Sequence, residues 1–266
     1  MKKLLAAATA IVALAATGSV WAADLPPPQV FKAPPPPPWY DWTGFYIGGN
    51  GGYSWGRGAT NYAVAGRAPF STTQAINGGL GGGQIGYNWQ FNHNWLLGIE
   101  ADFQGTGERG GSGLPTIVIP PIIGAAVVPG STTTANLSQS LPWFGTVRGR
   151  VGVEPVDRWL LYATGGLAYG QLNSTLGSTT TTTGGVVTAA SSSANVTRAG
   201  WTVGAGVEWA FLNRWSAKLE YIYMDLGTFN LTFPGTGPYA TVVTSTHFTD
   251  NIVRAGINYS FGGPHY

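Results

Sequence analysis

The sequence predicts an all-β chain, an eight-stranded antiparallel transmembrane β-barrel with short periplasmic turns and long outer loops. Three observations carry that prediction. Greasy and polar residues alternate with period two, most plainly at the end, where Ala255, Ile257, Tyr259 and Phe261 interleave with Arg254, Gly256, Asn258 and Ser260. Aromatic residues gather at the ends of the alternating stretches, where amphipathic rings favour a lipid–water boundary. The first 22 residues have the layout of a secretory signal: Lys2 and Lys3, an apolar run over 4–16, then small residues before Ala23.

The elements follow in order. Residues 23–41 are proline-rich and predict an extended periplasmic linker without a core. The barrel is expected over 42–261, with a short tail at 262–266. The first strand, about 42–55, sets Phe45, Ile47, Gly49, Gly51, Tyr53 and Trp55 on one face. The second, about 74–90, sends Ile85, Tyr87 and Trp89 outward. The third, about 95–105, does the same with Trp95, Leu97, Ile99 and Phe103, and the fourth, about 141–153, with Trp143, Val147 and Val151. Trp159, Leu161 and Tyr169 mark the fifth, Trp201 and Trp209 the sixth, Trp215, Leu219 and Tyr223 the seventh, and 247–261 the eighth.

Short connections at 91–94, 154–158 and 211–214 alternate with long ones at about 56–73, 106–140, 171–198 and 228–246. That alternation matches tight periplasmic turns and long outer loops. The predicted periplasmic aromatic girdle comprises Trp42, Trp89, Trp95, Trp159, Trp209 and Trp215; Trp55, Trp143 and Trp201 mark the outer one. From Trp201 to Trp209 a tilted strand climbs about 20 Å, close to the apolar band of an outer membrane.

Composition excludes several classes. There are no cysteines, hence no disulfides, thiolate metal sites or cysteine nucleophiles. Of thirteen basic residues two leave with the signal, so eleven face eleven acids in a neutral mature chain with no nucleic-acid footprint. Charged residues are 9% of the chain, against about 25% in soluble domains.

By the alternation, the charges point into the lumen. Glu100, Asp102, Arg148, Arg150, Glu208, Lys218, Glu220 and Arg254 form the predicted lumen charge network, four acids against four bases. An eight-stranded barrel has little room inside, so these charges are expected to pair and fill it. Inward glycines (Gly48, Gly86, Gly98, Gly152, Gly204, Gly206 and Gly256) leave open water-filled pockets and a narrow pore as the alternative.

Several segments now resemble one family: 24–26 (DLP), 42–48 (WTGFYIG), 86–90 (GYNWQ), 143–152 (WFGTVRGRVG), 161–168 (LYATGGLA), 204–209 (GAGVEW) and 253–256 (VRAG) with Tyr259 and Phe261. The set is similar to the alphaproteobacterial outer-membrane immunogenic proteins, small OmpA-like transmembrane barrels that often carry a porin label. The resemblance implies outer-membrane residence in a Gram-negative cell and a role in envelope integrity, with host recognition and haem binding linked to some members. Arg254, Gly256, Tyr259 and Phe261 match the family's terminal strand signal, read by the barrel-insertion machinery, although here 262–266 follow it.

Other motifs carry little. The GGGQIG run at 81–86 fits a dinucleotide fingerprint but lies in a strand with no helix after it. His93, His247 and His265 are scattered without metal spacing. No catalytic constellation is visible, so no enzyme activity and no cofactor are expected. Loop 171–198, rich in Thr, Ser and Gly, reads as flexible. Loop 106–140 carries an apolar run at 116–128, which reads either as a hairpin extending its strands or as a contact surface. The expected partners are membrane lipid and lipopolysaccharide, with a host protein or haem at the outer loops as the receptor alternative. The favoured function is a structural envelope barrel with a salt-bridged, plugged lumen.

Overall fold

The computed structural model describes residues 39–64, 68–92, 94–119, 130–236 and 239–262. The expected signal sequence, most of the proline-rich linker, the tail beyond Gly262, His93, His265 and the 120–129 part of the apolar run lie outside the described residues. Nine strands are described: β1 Gly44–Val64, β2 Phe70–Phe91, β3 Trp95–Gly113, β4 Ile117–Ile119, β5 Ser131–Val156, β6 Trp159–Thr182, β7 Val187–Ala210, β8 Trp215–Thr236 and β9 Tyr239–Ser260. All long neighbours pair antiparallel in the order β3-β2-β1-β9-β8-β7-β6-β5, and β3 pairs with β5 to close the ring. The three-residue β4 only extends the edge of β5. Eight long strands thus make a closed barrel, and no described helix is long and apolar enough to cross a membrane.

The outward face follows the period of two. Phe45, Ile47, Trp89, Trp95, Leu97, Ile99, Trp159, Leu161, Trp209, Trp215 and Leu219 are all exposed on the wall. Rings touch across neighbouring strands: Trp159 stacks on Trp209, and Trp215 meets Tyr259 edge-on. At the other rim Trp143 lies between Phe103 and Tyr169, and Trp201 meets Tyr223. Between the two rims the wall is apolar.

Two expectations are corrected here. The strands run far beyond the outer rim, so most of the expected long loops are hairpin walls. The segment 171–198 is not a flexible loop: β6 and β7 stay paired from Trp159↔Trp209 to Thr181↔Val187. The strand ends were set too early because the polarity of the alternation reverses at the rim. On β5, outward Val147 and Val151 give way to outward Thr134, Asn136 and Ser138, while inward Arg148 gives way to Leu141, Leu137 and Ala135. The same happens on β8 and β9, where Phe229, Phe233, Phe248 and Val242 point in. Below the rim the apolar face meets lipid; above it the outside is water and the apolar face turns to the core. Bulges accompany the change on three strands, at Gly105/Glu108, Ser140/Trp143 and Asp225/Gly227. In the last, Gly227 takes φ +71°, which a side chain rarely adopts.

The second correction concerns Trp42, which does not belong to the lipid-facing girdle. It is buried with Tyr40, Leu96, Leu160, Tyr162 and Ala210 at the periplasmic end of the interior. The chain before β1 crosses this opening rather than continuing the strand. The Trp42 N–H donates to Gln90 Oε1 at 2.7 Å and the Tyr40 N–H to Asp157 Oδ1 at 2.8 Å.

The rim assignment makes a sharp prediction. Leu219→Arg sits mid-wall and should cost about 2–4 kcal/mol of stability in lipid, whereas Thr134→Arg, outward above the rim, should cost less than about 0.5 kcal/mol. Urea unfolding of the two variants in lipid vesicles checks it; equal costs would put the rim in the wrong place.

Candidate functional site: the lumen

The interior has three layers. At the periplasmic end sits the Tyr40 and Trp42 cluster. Towards the outside is a larger apolar cluster containing Ile76, Leu80, Leu137, Leu141, Phe144, Leu172, Ile222, Met224, Phe248 and Ile252. Between them lie the eight charged residues picked from the sequence, and the structure brings all eight together.

Glu100 on β3 is the hub. Its carboxylate accepts from Arg148 Nη2 at 2.5 Å, Lys218 Nζ at 3.0 Å and the Tyr46 hydroxyl at 2.7 Å. Asp102, two residues on, accepts from Arg148 Nη2 at 3.0 Å, Arg254 Nη2 at 2.9 Å and the Thr146 hydroxyl at 2.8 Å. Glu220 on β8 bridges the same two arginines, from Arg148 Nη1 and Arg254 Nε, both at 2.8 Å. The register explains the meeting, since Glu100 stands opposite Arg148 on β5 and Glu220 opposite Arg254 on β9.

A second group hangs on Glu208 of β7. It accepts from Arg150 Nη2 at 2.8 Å, the Ser216 hydroxyl at 2.5 Å and Asn258 Nδ2 at 2.7 Å. Arg150 joins the groups by donating to the Tyr46 hydroxyl at 2.9 Å, with Glu100 Oε2 3.7 Å away. Its guanidinium also lies over the Tyr162 ring, 4.1 Å from the centroid. The side chains of Arg148, Lys218 and Arg254 are 0% exposed.

Several inward glycines are seats for a neighbouring side chain, while Gly204 lies closest to the Tyr221 carbonyl. A Cβ on Gly86 would stand 2.4 Å from the Tyr46 ring, one on Gly206 2.6 Å from the Tyr162 ring, and one on Gly48 2.1 Å from Asn258 Oδ1. The places of Tyr46 and Tyr162 in the lumen were missed in the sequence, whereas the period of two already set Gln84 and Asn258 on the inward, polar face. A signal for Tyr46 existed, because period two turns it inward between Phe45 and Ile47. Nothing in the sequence says that it fills the space above Gly86, the direct partner of Glu100 on the neighbouring strand.

The other residues singled out from the sequence spread out. Gly256 stays inward beside Asn50 and Gln84, Tyr259 faces out, and Phe261 donates its N–H to the Phe45 carbonyl at 2.8 Å, tying the end of β9 to β1. His247 lies on the outer wall, Nε2 3.4 Å from Asp225, and does not face the lumen. At the periplasmic turn Glu154 accepts from Gln90 Nε2 and the Arg158 N–H, at 2.6 and 2.9 Å, while burial holds its carboxyl above the usual range. Burial also pushes the Tyr40 hydroxyl up to about 12. Among the described residues no three His, Cys, Asp or Glu side chains gather to hold a metal.

With this geometry in place, comparison with known proteins is informative. Residues 8–261 match the family model described as outer membrane protein beta-barrel domain. The chain is 36% identical over 231 residues to the 31 kDa outer-membrane immunogenic protein of Brucella melitensis biotype 1, covering 84% of this chain and 85% of that one. It is 29% identical over 222 residues to the 22 kDa outer membrane protein of Rhizobium leguminosarum bv. viciae, covering 83% and 78%. Among solved structures, the outer membrane protease OmpT from Escherichia coli aligns at a TM-score of 0.50 and 10% identity, covering 82% of this chain and 97% of that one, a likeness of fold alone.

The network predicts asymmetric mutational costs. Arg148→Met takes one cation from three buried carboxylates at once, leaving the network one positive charge short, and should cost about 3–5 kcal/mol. Arg158→Met breaks the partly exposed contact with Asp157, 3.7 Å away, and a long cation–π contact with the Tyr40 ring, 5.6 Å from the centroid, and should cost less than about 1 kcal/mol. Denaturant unfolding of the refolded barrel measures both; similar losses would mean that the buried pairs carry no special weight.

Proposed function

This chain belongs to the outer membrane β-barrel family and is an outer-membrane protein of a Gram-negative bacterium, and on that premise we propose that it serves as a structural barrel of the envelope whose lumen is closed by its own side chains. The observation that carries the reading is the charge network with its guanidinium and ammonium groups at 0–1% exposure, lying between two apolar layers. A conducting pore needs water and a path along the axis. Here acids and bases are matched four against four, so no ring of single sign selects an ion. Tyrosine rings cover Gly86 and Gly206, and the amides of Asn258 and Gln84 cover Gly48, which supports the same reading.

A second reading, a surface receptor, rests on the hairpins that rise past the outer aromatic rim, β5 to β7 above all. Their outward faces are rich in Thr and Ser, and the connection between β3 and β5 carries the apolar run. A host protein or haem would bind there. Replacing 120–129 by a short Gly-Ser linker should abolish such binding and leave the barrel folded; unchanged binding of haem or host matrix protein would dismiss this reading.

Conductance tests the main proposal. Residues 23–266 refolded into a planar bilayer should give no steady single-channel steps, while heat modifiability on gels confirms insertion. Sizeable steps that change in an Arg148→Ala, Arg150→Ala variant would make the protein a pore.

A further inference from the structure

Two more acids point into the barrel, above the charge network. Glu108 on β3 is 1% exposed and Asp250 on β9 is 0% exposed. Both sit at the outer rim, next to the Gly105/Glu108 bulge and beside Asn251, whose side chain accepts from the Tyr221 hydroxyl at 2.7 Å on the outer wall. None of their four carboxylate oxygens accepts a hydrogen bond of ordinary geometry. The Ser54 hydroxyl lies near Glu108 but donates to the Gly78 carbonyl at 3.5 Å, and the Asn251 N–H lies near Asp250.

The strand register gathers the two acids around one point: Ser54 on β1 pairs with Gly78, against which Glu108 lies, and with Ile252, two residues from Asp250. No Lys, Arg or His among the described residues forms an ion pair with either. The four bases below are already matched by four acids, so the network has no spare positive charge to lend. The surroundings are apolar: Ile76, Leu141, Phe248 and Ile252 are all buried in the same layer. Gly56 and Gly78 keep the adjoining wall free of side chains. A Cβ on Gly56 would stand 3.3 Å from Asp250 Oδ1, and one on Gly78 2.5 Å from the Glu108 backbone nitrogen.

Two negative charges in such a layer are costly without compensation. One shared proton leaves a residual charge. One divalent cation cancels both, and hard cations favour carboxylate, hydroxyl and carbonyl oxygens. We propose that Glu108 and Asp250 together bind a divalent cation of the calcium or magnesium class at the outer end of the lumen, with the Ser54 hydroxyl as a further oxygen donor. The site goes beyond the closed-barrel reading and does not depend on it. It would tie β3 to β9 across β1 and β2, pinning the outer hairpins where the strands leave the membrane.

The test is thermal unfolding of the refolded barrel at pH 8, with chelator and then with calcium or magnesium chloride. Wild type should gain about 3–6 °C at saturating cation, at concentrations of about 0.1–1 mM, as in extracellular calcium modules. The Glu108→Gln, Asp250→Asn double variant should show no cation-dependent gain. It should still fold, because it removes two uncompensated charges and keeps the shape. An unchanged midpoint in wild type, or the same gain in both proteins, overturns the site. So does a wild type indifferent to cation but destabilised relative to the double variant as pH rises, since the pair then holds protons instead of metal.

Discussion

Everything in this molecule depends on closing the ladder. Inside hydrocarbon a backbone N–H or C=O finds no water, so each must bond within the protein. The β3–β5 pairing, running from Trp95↔Val153 to Gly113↔Asn136, turns an open sheet into a ring without edges. Once the ring is closed at eight strands, its interior is fixed at a width that side chains can span. The wall can then be as apolar as the lipid requires, and every polar or charged group in the membrane zone has to go inside. The charge network is the consequence of that exclusion, and its matched composition is the condition for tolerating it.

The medium outside then decides what the inside must be. Between the rims the outside is lipid and the inside holds charges. Above the outer rim the outside is water, and the same strands carry apolar residues inward. Phe144 and Arg148 are both inward on β5, one on each side of that change. The larger apolar cluster therefore works as an ordinary hydrophobic core stacked on an inverted one. Its presence explains how strands of more than twenty residues stay ordered well beyond the membrane.

The sequence made much of this legible, and where it failed the reason is physical. Period two and the tryptophan positions were enough for eight strands, their order and the eight charged lumen residues, since a side-chain period of two leaves no choice of face once the lipid side is known. The strand ends were not legible. A reading that looks for apolar residues outside stops at Trp55 or Trp143, because the next outward residues are Arg57 and Ser140. Trp42 was misplaced by a related assumption, that an aromatic beside a turn meets lipid. It lies before β1 begins, where the chain bends across the opening, and period two no longer applies. The Tyr46–Gly86 and Tyr162–Gly206 pairs were invisible because they depend on the register between strands, which one strand's sequence does not contain.

The contrast between the two acid groups in the lumen shows what the fold tolerates. Glu100 and Asp102 are surrounded by four cations and two hydroxyls, and each oxygen has a partner, Asp102 Oδ1 only the Gln104 amide at 3.5 Å. Glu108 lies six residues further along the same strand, and neither of its oxygens has one. Both acids are equally buried and face the same interior, so burial alone does not decide their state. The difference is where their strand stands relative to the rim. Below it, neighbouring strands offer Arg148, Lys218 and Arg254 inward; above it, they offer Leu141, Ile76 and Phe248. An acid placed in that upper layer contributes nothing to packing that a leucine would not do better. Its presence there, together with a second acid three strands away, is a cost that only a charge from outside the chain can offset.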